Sequence, residues 1–125
     1  MVRIRLLALA ALLALSLLTA LSAGRGIHSH LFVEPGKQFV LGGDQEGGFR
    51  LVAHNTGPVP VAVRERLRAG TVAERGALAP GQRTTLRLAP GSAALVRNGS
   101  ARRAELDLDI SGGRPGRMNY EAAGN

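Results

Sequence analysis

Phe49-Arg50-Leu51-Val52-Ala53-His54-Asn55-Thr56-Gly57-Pro58-Val59-Pro60-Val61-Ala62-Val63-Arg64 is the stretch on which the fold turns. Phe49, Leu51 and Ala53 fall on alternate positions, as do Val59, Val61 and Val63, with Arg50 and Arg64 out of phase. Successive strand side chains point to opposite faces, so a period of two marks two strands with one face on a core. Asn55-Thr56-Gly57-Pro58 between them supplies turn chemistry.

Outward from this pair the same grammar repeats. Strands are predicted over 31–33, 38–41, 48–54, 59–67, 70–77, 83–88, 93–97 and 101–110, with a last one over 117–121. Pro-Gly, Gly-Gly and Asn-Gly signals separate them. Leu78-Ala79-Pro80-Gly81 recurs as Leu88-Ala89-Pro90-Gly91, which reads as two similar turns flanking one strand. The expected fold is all-β: a small antiparallel β-sandwich, Ig-like, of about 7–9 short strands, preceded by an N-terminal hydrophobic signal helix.

The chain begins with Arg3 and Arg5 ahead of an apolar run from Leu6 to Ala23. A basic start, a Leu/Ala run and a small-residue exit make a secretory signal, cleaved after Ser22 or Ala23, or retained as a membrane anchor. No cysteine follows, which excludes a lipid anchor through that residue. The organisation read from this is a signal or anchor over 1–23, a flexible tail over 24–30, the sandwich over 31–121 and a C-terminal tail over 122–125. The protein is expected to be exported, periplasmic or extracellular, touching membrane only through an uncleaved N-terminal segment.

The chain has 16 basic and 9 acidic residues, a formal charge of +7, and Lys37 as its lone lysine. Removing Arg3 and Arg5 with the signal takes +7 to +5. That charge suits anionic partners, but arginine, alanine and glycine are abundant together, as in GC-rich coding. Export and only four aromatic residues argue against nucleic acid, which needs stacking platforms. The absence of cysteine rules out thiol catalysis, Cys-ligated zinc and disulfides, so a small domain must rest on its core alone.

Few residues suggest chemistry. His28 and His30 share one side of an extended segment, and with His54 they are the candidate zinc or copper ligands. Glu105, Asp107 and Asp109 form an acidic stripe, expected to pair across strands with the basic stripe Arg64, Arg66 and Arg68. Glu65 falls on the apolar face of its strand and is expected to be exposed or partnered. The glycine-rich segment 42–48 reads as a flexible hairpin tip rather than a calcium loop, and Asn98-Gly99-Ser100 reads as a turn. No nucleophile elbow, phosphate loop, dinucleotide fingerprint or zincin motif is present. The resulting expectation is a non-enzymatic exported module binding a protein or cell-envelope partner, with no cofactor. The alternative is periplasmic metal binding through the histidines.

Overall fold

The computed structural model describes residues 26–123. The signal helix and the last two residues of the predicted C-terminal tail lie outside them. Nine strands follow one another: β1 (Ile27–Val33), β2 (Lys37–Gly42), β3 (Phe49–Asn55), β4 (Val61–Arg66), β5 (Val72–Leu78), β6 (Arg83–Leu88), β7 (Ala93–Arg97), β8 (Ala104–Ser111) and β9 (Met118–Ala122). The described part is all-β, in two antiparallel sheets. A four-stranded sheet has the order β1-β8-β3-β6, and a five-stranded sheet the order β5-β4-β7-β2-β9.

The alternation that announces the strands also builds the core. Leu51, Ala53, Leu106, Leu108 and Ile110 from the first sheet and Val61, Val63, Leu41 and Val96 from the second are buried in one cluster. The sheets therefore face each other across a shared interior, with the arginine, histidine and carboxylate positions of the strands turned outward except Glu65, which is buried.

Connectivity departs from the Ig-like order. An Ig-like sandwich keeps early strands together in one sheet. Here β4 and β5 are consecutive in one sheet, while the other links cross between sheets. The order 1-8-3-6 against 2-7-4-5 is that of a double-sheet jelly roll, with β9 added beside β2. Turn residues do not distinguish a hairpin from an arch, so local sequence could not make this distinction.

The repeated Pro-Gly turns are one device used three times. The amides of Lys37, Gln82 and Ser92 donate to the carbonyls of Glu34, Ala79 and Ala89, at 3.1, 3.0 and 3.0 Å. Proline presets the second turn residue. Gly81 (φ 83°) and Gly91 (φ 74°) take the left-handed third position that a side chain would strain.

Two asparagines close the loops from inside. Asn55 is fully buried and donates Nδ2 to the carbonyls of Val59 (2.8 Å) and Leu78 (2.9 Å), while its Oδ1 accepts from the Gly57 amide at 3.0 Å. Asn98 does the same with the Val33 and Arg102 carbonyls and the Ser100 amide. The segment after β2 is no flexible hairpin tip. It joins different sheets, and Gln45 is buried and bonded to the Gly43 amide and the Ser92 carbonyl.

The segment 27–30, expected as part of a flexible tail, is the first half of β1. Its partner strand supplies what its own composition lacks: Ile27 pairs with Ile110, and His30 with Asp107.

Candidate functional site

The residues of chemical interest meet on the solvent face of the four-stranded sheet. Residues opposed in an antiparallel register share a face. His28 of β1 lies opposite Asp109 of β8, and His30 lies opposite Asp107. Asp107 in turn lies opposite His54 of β3, and His54 opposite Arg83 of β6. The register thus sets an imidazole, a carboxylate, a second imidazole and a guanidinium in one row across four strands.

The contacts within β1 and β8 are close. His28 Nδ1 is 2.7 Å from Asp109 Oδ1. His30 Nδ1 is 2.5 Å from Asp107 Oδ1, and its Nε2 is 2.8 Å from Glu105 Oε1. A neutral imidazole donates from one nitrogen only, so the two carboxylates around His30 are both satisfied by the imidazolium form. The hydrogen bonds to Asp107 and then Glu105 raise the His30 pKa above its ordinary value. The bond to Asp109 raises that of His28. Conversely the His30 bond holds the Asp107 carboxyl below its ordinary range.

This arrangement revises the expected pairing of stripes. Arg64 and Arg66 lie on β4, in the other sheet from Glu105, Asp107 and Asp109. Arg66 Nη2 instead meets Glu121 Oε1 of β9 at 2.6 Å, and Arg64 Nε lies 2.8 Å from Glu74 Oε1 of β5. Two solvent faces with alternating charge look alike in sequence, and sheet membership decides which meet. Glu65 is buried and partnered: the Ala89 amide donates to its Oε2 at 3.2 Å, and Arg75 Nε stands 3.7 Å from its Oε1.

All three candidate metal ligands, His28, His30 and His54, lie on this one face, with His30 and His54 flanking Asp107. Among the described residues no group of three or more histidine or carboxylate side chains is arranged to hold a metal ion. Both nitrogens of His30 face carboxylates, while His28 keeps Nε2 clear of any described hydrogen bond.

A second feature adjoins this row and was missed in the sequence. The His30 ring packs edge-on against Phe32, 5.1 Å between centroids, and the Arg103 guanidinium sits 4.4 Å above the Phe32 ring. Phe32 lines a cleft of about 530 Å³ with Glu34, Lys37, Arg103, Tyr120, Glu121 and Ala122. The cleft exists because the sheets are unequal. Met118 and Tyr120 of β9 pair with the buried Leu41 and Phe39, so they point to the inner face, yet they are 42% and 53% exposed. Among the described residues no strand of the four-stranded sheet covers them. The available signal was the scarcity of aromatic residues combined with the uneven strand number, and the second is not a local property.

No protein-family model matches this chain, and no curated protein matches it. Likeness appears only in backbone course. The structure is similar to a crystal structure of PirA at 17% identity and a TM-score of 0.46, covering 67% of this chain and 93% of that one. It is also similar to the crystal structure of the Yersinia pseudotuberculosis-derived mitogen at 12% identity and a TM-score of 0.45, covering 70% of this chain and 85% of that one.

Proposed function

We propose that the chain is a non-enzymatic, exported β-sandwich module that binds an extended segment of a partner protein in the cell envelope. One observation carries this reading: two of the chain's four aromatic residues, Phe32 and Tyr120, are exposed and line the same cleft. Isolated exposed apolar residues are ordinary, but paired aromatics beside an uncovered sheet face are the usual make-up of a binding hot spot.

The geometry favours an extended partner. Among the described residues β1 is an edge strand with one side of its backbone unpaired. A strand added there would complete a fifth strand over β9 and bury Met118 and Tyr120, the mode of recognition by strand addition. Lys37 and Arg103 give the cleft basic donors and Glu34 a carboxylate, while Glu121 is already engaged by Arg66 and by Gln38 Nε2 at 2.5 Å. The partner segment is therefore apolar, with polar residues of both signs at its ends to match this mixed lining. Export rests on the reading of residues 1–23 as a signal.

Capture from an envelope fraction, comparing the protein with the double variant Phe32→Ala/Tyr120→Ala, tests the reading. The expected result is a captured protein that the double variant loses, together with slowed amide exchange along β1 in the complex. Equal capture by both proteins, or protection elsewhere, would overturn it.

A further inference from the structure

Beyond the histidine row, the outer face of the four-stranded sheet carries a second charged row at the opposite end of β3. In register, Ser111 of β8 lies opposite Arg50 of β3, and Arg50 opposite Arg87 of β6. A hydroxyl and two guanidinium groups therefore stand side by side on one face. Both arginines are exposed, and Ser111 is half-buried.

Like charges directly opposed across strands destabilise a sheet. Neither arginine is relieved by a carboxylate among the described ion pairs. The neighbouring carboxylate on that face of β8, Asp109, is hydrogen-bonded to His28. A hollow of about 180 Å³ is lined by the two arginines with Gly48, Phe49, Leu88 and Gly112 and no acidic side chain; Ser111 stands at its margin, opposite Arg50 in register and lining the adjoining hollow that shares Gly112. A side chain at Gly48 would bring its Cβ to 2.7 Å from the Leu88 carbonyl oxygen, so the floor stays bare backbone. Arg75 Nη2 donates to the Arg87 carbonyl at 3.4 Å, but its charge is already paired with Glu65, 3.7 Å from Nε, so the site rests on Arg50 and Arg87.

We propose that Arg50, Arg87 and Ser111 form an oxyanion site for a phosphate group, carried either as the free anion or on a lipid headgroup. Guanidinium forks match the oxygens of a tetrahedral anion two at a time, and the Ser111 hydroxyl supplies a further donor. An anion between Arg50 and Arg87 converts their repulsion into two attractions. The site is separate from the cleft at β9 and does not depend on it.

The test titrates the purified protein with inorganic phosphate while amide shifts are read by NMR, alongside Arg50→Gln, Arg87→Gln and the control Arg102→Gln. Phosphate is expected to move the amides of residues 48–50, 87–88 and 111–112. Arg50→Gln and Arg87→Gln are expected to weaken binding by about tenfold or more, Arg102→Gln to leave it unchanged, and Arg50→Lys to fall between. A second arm uses vesicles of phosphatidylcholine with and without phosphatidylglycerol. Retention on the anionic vesicles that is lost in Arg50→Gln and Arg87→Gln assigns the headgroup, and phosphate binding without retention assigns the free anion. No shift at these amides, shifts spread evenly over all arginines, or an equal loss in Arg102→Gln would overturn the site. Both substituted side chains are exposed, and circular dichroism checks that the variants remain folded.

Discussion

A histidine between two carboxylates makes a pH signature that belongs to single residues. His28 and His30 have pKa values raised above the ordinary 6.5, by Asp109 and by Asp107 with Glu105 respectively. Their contribution to stability is complete below the unfolded value and is lost as pH rises through the folded one. Asp107 is held below its ordinary 3.8, so its contribution is present above that value and is lost as pH falls through the depressed one. The melting temperature should therefore be highest between about pH 4 and pH 6.5 and decline on the alkaline side. Melting curves of the double variant His28→Ala/His30→Ala should lack that alkaline decline, and an unchanged decline would show another group responsible. Asn55 belongs to this scale too. Asn55→Ala would strand the carbonyls of Val59 and Leu78 and the Gly57 amide, at a cost of about 2–4 kcal/mol by urea denaturation. A cost below 1 kcal/mol, on the order of one exposed hydrogen bond, would mean the loop closes by other means.

At the level of elements, strands were readable where burial alternates and unreadable where it does not. β3, β4 and β8 carry their pattern openly, with Leu51, Val63 and Leu106 inward. The first half of β1 puts an exposed Ile27 and a half-buried Ser29 in phase with the inner face and two histidines outward, so nothing local separates it from a tail. Its order comes from β8, which also explains why the histidines and the acidic stripe could be seen singly but not as one site. The cleft was hidden for a similar reason, since Tyr120 is exposed through the missing neighbour of β9. Turns were more legible. A side chain at Gly81 would meet open space, but φ there is 83°, so Gly81→Ala should cost about 1–2 kcal/mol through backbone strain alone. Thermal denaturation would show it, and a neutral result would mean the turn changes type.

Among the described residues the two sheets share one main core, and a smaller buried group of Val40, Ala93 and Leu95 stands apart from it. Leu106 and Leu108 of β8 lie in the same buried cluster as Val61 and Val96 of the other sheet. Leu106→Ala should therefore cost about 2–5 kcal/mol and lower the unfolding midpoint of both sheets together. Separate transitions by amide exchange in the two sheets would contradict this. The jelly-roll order has one more outcome, which concerns time. The first strand finds its neighbour in the eighth, and the second lies between the seventh and the ninth. During synthesis, β1 has no place to settle until residues 104–111 have appeared, after all of β2 to β7. Such wiring favours slow closure and a long-lived open chain. For a polypeptide proposed to cross a membrane before folding, the delay is useful: the first strand stays loose until the eighth arrives to hold it.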